Sequence, residues 1–247
     1  VVETRSFPGF DSGMFGRVFS FLSNACFAAL LVGVALPGSH RFVWPEAYGL
    51  VEVAPHVWTD RPERAGDYLG LVDAARVRVE EFFGDAAPRP VMVLCASRAC
   101  ARDFGIGGNG LSVADLAVMV APGGLTLGTL SHEMMHARLH RSMGLRNLVR
   151  QPYPTWFDEG LATYVADHPR GGGAVTEASR ARVREVTRFW QLRAVFDELG
   201  VGRTYGSAAA EVAEIDRRAG RAGLLELIAR AEAGEPFLRV LEEVVGR

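Results

Sequence analysis

Cysteine is scarce in this chain, with three in 247 residues, and so few thiols exclude a small domain held together by disulfides. An excess of positive charge is missing as well. The formal net charge is −2 and the isoelectric point about 6.3, which speaks against a dedicated nucleic-acid binder, because a phosphate backbone selects a basic surface. No internal repeat is present, and nothing after residue 40 marks a boundary between two independent domains. The glycine-rich GIGGNG at 105–110 lacks the Lys-Ser/Thr of a Walker loop and the following helix of a dinucleotide fingerprint. A phosphate cradle is therefore not expected there, and a connecting loop is.

Charge is also absent from one long stretch. Val18–Leu36 reads VFSFLSNACFAALLVGVAL, 19 residues without a charged side chain, close to the roughly 20 that cross a hydrocarbon core. An uncleaved membrane anchor is the expectation, since the apolar region of a cleaved signal usually runs only about 7–15 residues and the best small-x-small pair is Gly33 and Ala35. Arg17 precedes the run, and Met14 offers an alternative start. The positive-inside tendency then places the chain from residue 41 onward outside the cytoplasm, on the periplasmic or extracellular side, with a secreted form as the alternative. Cys26, inside the run, is expected to pack as a small hydrophobe.

The chain beyond residue 40 reads as one globular unit, and 49% apolar residues in the whole sequence are enough for a good core. LVEVAPHVWTD predicts one or two short strands. RAGDYLGLVDAARVRVEEFFG predicts a helix, with Tyr68, Leu71, Val72, Ala75, Val79, Phe82 and Phe83 on its core face and Gly84 at its end. RPVMVLCA predicts a strand, and LSVADLAVMVAPGG a second strand ending in a turn. Cys95 and Cys100 stand five apart after the first of these; outside the cytoplasm they can close a small disulfide loop, and as free thiols they serve as packing groups. A long helix is expected from about Ala178 to Leu199, preceded by the connection HPRGGGAVTEAS, which reads as a linker or a lid.

TLSHEMMHARLH, at 129–140, concentrates the chemistry. Apolar Leu127, Leu130, Met134 and Ala137 recur at helical spacing, so the histidines lie on a helix. A spacing of four puts His132 and His136 on one face, able to direct two imidazole nitrogens at a single ion, with Glu133 beside them. This is HExxH, in which two neutral imidazoles hold zinc and the glutamate serves as general base; the pentapeptide alone also fits ordinary polar residues on a solvated helix face, and a third ligand is needed to set that aside. His140 continues the spacing but lies about 12 Å along the axis from His132, too far to share the ion; it is read as a supporting or surface group. The metzincin extension is excluded, since positions 139 and 142 are Leu139 and Ser142. Arg138, Arg141, Arg146 and Arg150 come soon after, a solvated face or a contact for acidic substrate groups or lipid headgroups.

Downstream, WFDEGLATY at 156–164 carries Asp158 and Glu159 on a second predicted helix. HExxH together with this segment resembles the gluzincin clan of zinc peptidases, related to thermolysin and the zinc aminopeptidases. The resemblance covers roughly residues 50–247 and implies one Zn2+ ion held by His132, His136 and Glu159, with Glu133 as catalytic base. The 22 residues between His136 and Glu159 are slightly more than the family's usual interval. TYGSAAAEVAEI resembles a helix of the family's C-terminal part, which implies Tyr205 at its opening as a hydrogen-bond donor to the reacting oxygen; Tyr164 is the rival donor. The implied fold is α+β and zincin-like: a mixed sheet with the active-site helix over 41–145, then a helical part over 146–247, after an N-terminal tail and membrane segment over 1–40. DLAVMVA is expected to be an exposed edge strand along the cleft, pairing with an extended peptide or protein substrate; its alternative is an interior strand.

Two departures bear on function. The strand before the zinc helix has no glutamate where aminopeptidases bind the substrate amino terminus, so internal cleavage is favoured. Thr163 stands four after Glu159, where thermolysin-like sites carry the aspartate that orients a histidine. Asp158, Asp167 or a backbone carbonyl must then accept the imidazole N–H. The expected activity is zinc-dependent peptide hydrolysis. The alternative is a protein of the same fold that binds a peptide or protein partner without turnover.

Overall fold

A computed structural model describes residues 38–141, 151–167 and 174–246. The apolar run Val18–Leu36, Met14, Arg146, Arg150 and the glycines at 171–173 lie outside the described residues. Within them, no helix is long and apolar enough to cross a membrane.

Five short strands form one mixed sheet in the order β1-β2-β3-β5-β4: β1 Val51–Ala54, β2 Val57–Thr59, β3 Val91–Leu94, β4 Gly110–Val113 and β5 Ala117–Val120. β2, β3 and β5 run parallel to their neighbours in that series, while β1 and β4 pair antiparallel at the two edges. A parallel step needs a crossover, and helix α1 (Ala65–Phe83) supplies it between β2 and β3. Tyr68, Val72, Ala75, Val79 and Phe82 form its buried face, and Gly84 closes it at φ 76°, a left-handed conformation natural to glycine.

Both faces of the central strands are covered, and the alternation of side chains shows how. Met92, Leu94, Val118 and Val120 point into the main core, with α1 and the helix α3 (Leu127–Leu139). Val93, Cys95, Ala117 and Met119 point the other way, into a smaller cluster with Cys100, Ala101 and Phe104 of and beside the short helix α2 (Arg98–Asp103). Cys95 and Cys100 are joined in a disulfide. Asp60, just past β2, accepts from the backbone N–H groups of Ala96 at 2.7 Å and Ser97 at 3.1 Å, fixing the turn that leads into α2.

The segment LSVADLAVMV is a hairpin rather than one strand. Ala114, at φ 48°, turns the chain within a three-residue connection, and Val113 pairs with Ala117. Ala-Asp-Leu carries no glycine or Asn-Gly signal at the left-handed position, which is why the sequence does not announce the turn. The consequence is a correction: within DLAVMVA, Ala117–Val120 form the interior strand β5, fully buried, and the edge strand is β4, GLSV.

The remaining helices form the second part: α4 (Thr155–Ala166), α5 (Glu177–Arg184), α6 (Leu192–Leu199), α7 (Val201–Glu232, broken at Gly220) and α8 (Phe237–Val245). The expected helix from Ala178 to Leu199 is two helices. The interruption has a partner in α4. The first amides of a helix have no acceptor within it, and here Trp156 N–H donates to Val186 O at 3.0 Å and Thr155 N–H to Thr187 O at 3.4 Å. Gln191 Oε1 in turn accepts from the amides of Thr187 and Arg188.

α7 lies against α4 with almost no space between backbones. A methyl group on Gly160 would come within 2.5 Å of Ala208 O, so only glycine allows this approach. Val201 starts α7, so Tyr205 falls within it rather than at its opening.

Candidate metal centre

Thr126 caps α3, accepting from the backbone N–H of Thr129 at 3.2 Å, and most of the helix is buried between the sheet and α4. His132, Glu133 and His136 are each less than 8% exposed. A polar triad cannot be held in such a place without partners or a ligand.

The spacing of four does what the sequence reading anticipates: His132 Nε2 and His136 Nε2 are 3.1 Å apart. From α4, Glu159 brings Oε2 to 3.3 Å from each of these nitrogens. The three atoms form a triangle with sides of 3.1–3.3 Å. Tetrahedral zinc with bonds of about 2.0 Å separates its ligand atoms by about 3.3 Å, so the triangle matches three corners of such a site. Glu159 Oε2 is also buried, with no polar partner described beyond these two imidazoles, a setting that an ion among the three atoms would suit. His132, His136 and Glu159 can hold a metal, and the ligand types suit zinc among others.

Asp158 answers the question left by Thr163. Its Oδ1 lies 3.0 Å from His136 Nδ1 and its Oδ2 2.8 Å from His140 Nε2. His140, read from the sequence as supporting or superficial, is thus tied to the centre through a carboxylate. Asp167 instead closes α4 in a left-handed conformation at φ 48°.

Charge is concentrated here. Burial works against ionisation of Glu159, but the neighbouring imidazoles outweigh it and bring its pKa down to about 2. Burial likewise opposes the charge on Asp158, and His140 and His136 overcome it, holding the carboxylate well below its ordinary range. For His136, burial favours the neutral ring, yet Asp158 and Glu159 raise its pKa well above the ordinary value.

Glu133 faces the other side, toward the edge strand. A methyl group on Gly110 would lie 2.5 Å from Glu133 Oε1, so the carboxylate occupies the space a side chain would fill on β4. In the sequence Gly110 stands out only as part of a loop; its role depends on the hairpin register, which the sequence does not display. Tyr205 stacks edge-to-face on His132 with ring centroids 5.7 Å apart, which brings it to the centre. The hydroxyl of Tyr164 donates to Asp216 Oδ2 at 2.7 Å, about 16 Å along α7 from Tyr205 at 1.5 Å per residue. Arg138 is engaged with Asp85 at 2.9 Å and lies over Phe83, leaving Arg141 as the other described member of the expected basic group.

No protein-family model, curated protein or solved structure matches the chain.

Proposed function

We propose that the chain is a zinc-dependent peptidase of gluzincin type that cleaves within polypeptides. The observation that carries this reading is the approach of Glu159 Oε2 to 3.3 Å from two imidazole nitrogens on another helix, with a second buried glutamate next in sequence to one of those histidines. A structural metal site has no use for Glu133; a hydrolytic one requires a base there.

A zinc ion held by His132, His136 and Glu159 would supply Lewis acidity toward a carbonyl oxygen and toward water. Glu133 takes the proton of the attacking water and returns it to the leaving amine. β4, an antiparallel edge against which Glu133 rests, offers its free backbone groups to an extended substrate. Residues 104–113 contain no carboxylate, so this edge provides no counter-charge for a substrate amino terminus. Tyr205, placed against His132, is proposed as the donor to the oxygen that gains charge in the transition state. The membrane segment at Val18–Leu36 is proposed to tether this unit outside the cytoplasm.

Metal analysis of the purified full chain, combined with cleavage of a diverse peptide library, tests the reading. One equivalent of zinc is expected, lost in His132→Ala, His136→Ala and Glu159→Ala. Full zinc occupancy in Glu159→Ala would remove the gluzincin assignment. Zinc binding and partner binding without any turnover would leave a binding protein of the same fold.

A further inference from the structure

We propose that His140 is a positioning residue of the metal centre, fixing His136 through the carboxylate of Asp158. The proposal rests on the metal-centre reading above and adds a residue to it.

If His136 presents Nε2 to an ion, its one ring proton sits on Nδ1, and that N–H donates to Asp158 Oδ1 at 3.0 Å. A carboxylate turns easily about its terminal torsion, so one donor does not fix it. His140 Nε2 supplies a second donor to the other oxygen, at 2.8 Å. Each oxygen then has its own imidazole, and the plane of Asp158 is set by two residues four apart, His136 on α3 and His140 at its C-cap. The rings of His136 and His140 lie at centroids 5.6 Å apart and tilted by 33°, an arrangement that lets one carboxylate bridge them.

Removing His140 takes away the partner of a half-buried anionic oxygen, and an anion left without its donor reorients toward whatever donor remains. His136 then loses the alignment that holds its lone pair on the ligand triangle. Loss of a group that orients a ligand typically weakens metal affinity by about 10–100-fold. His140 acts one step further away, and about tenfold is expected.

His136, His140 and Asp158 also have ligand atoms close enough to hold an ion of their own. The hydrogen-bonded arrangement is favoured because each carboxylate oxygen already lies at hydrogen-bond distance from a different ring nitrogen.

The test is zinc affinity by competition with a chelating indicator, on the full chain, for the wild type, His140→Leu and His140→Gln. Circular dichroism of each variant checks the fold. His140→Leu should bind zinc about tenfold more weakly, and His140→Gln, which keeps an N–H donor, should recover most of the loss. Affinity within twofold of wild type in His140→Leu overturns the proposal. So does a glutamine variant as weak as the leucine one, which would make the ring's packing the cause. A second equivalent of zinc that disappears with His140 would make it a ligand and also overturn the role. If His140→Leu does not fold, His140→Ala against His140→Gln gives the same comparison. A wild type that binds no zinc at all removes the metal-centre reading, and this role with it.

Discussion

Helix α3 carries His132, Glu133 and His136 within five consecutive positions, whereas α4 brings Glu159 from a helix whose place is set by α7 and by the carbonyls of Val186 and Thr187. The first arrangement is local: once the helix forms, its periodicity aligns the ligands. The second is tertiary, because Glu159 meets the histidines only if α4 is held at the correct depth. The proposed metal affinity therefore depends on packing in the helical part, while Glu133, the proposed base on α3, rests against the edge of the sheet.

The largest expected effect breaks the α3 side without touching the ligands. Glu133→Gln should keep zinc at wild-type affinity and lower turnover by about a hundred to ten thousandfold, the usual worth of a general base. Unchanged turnover places the base elsewhere. Next comes the α7 side: Tyr205→Phe should retain zinc and substrate affinity while turnover falls roughly a hundredfold, the effect of losing one donor to the reacting oxygen. Turnover within about twofold of wild type excludes the hydroxyl from the chemistry.

Gly160→Ala probes the packing itself. Its methyl group would meet Ala208 O and Val212, and overpacking of this kind costs about 1–3 kcal/mol. Denaturant unfolding should show that loss, and zinc affinity should fall with it as α4 is pushed off α7. Full stability would show that the two helices yield without cost.

The smallest effect is one of sign. In chelated protein, the folded-state pKa of His136 lies above its value of 6.5 in an unfolded chain. Its stabilisation is then complete below pH 6.5 and lost as pH rises through the folded value. With zinc bound, the same ring must be deprotonated, so stability rises with pH up to about 6.5 and is level above it. Thermal midpoints between about pH 5 and 8 should rise toward pH 6.5 with zinc and fall above it in chelator. The same pH profile with and without chelator would remove His136 from the ligand set.

The same contrast between local and tertiary separates the features legible in the sequence from those that are not. The pairing of His132 with His136 and the core face of α1 are legible because each is a matter of period along one element: four residues for the histidines, and every third or fourth for Tyr68, Val72, Ala75 and Val79. The hairpin at Ala114 is not, since its left-handed residue is an alanine and the turn is imposed by strand pairing. The break between α5 and α6 is hidden for a similar reason: its benefit falls on the amides of Thr155 and Trp156, some thirty positions earlier. Asp158 can be named only among alternatives, because which carboxylate reaches His136 depends on how deeply α4 is seated, and spacing does not encode depth.

Asp158 and Glu159 are neighbours, yet one orients His136 and the other completes the ligand triangle. Two tasks are thus carried on a single dipeptide, which moves as one piece. An insertion or deletion in the stretch joining α3 to α4 changes how far the chain travels without altering which way either carboxylate faces, provided α4 still seats on α7 through Gly160. A single residue inserted inside α4 between Trp156 and Asp158 would instead rotate both by about 100° relative to the segment before it. Variation in length is thereby channelled into the connection and kept out of the helix, so an interval of 22 residues is compatible with the proposed chemistry.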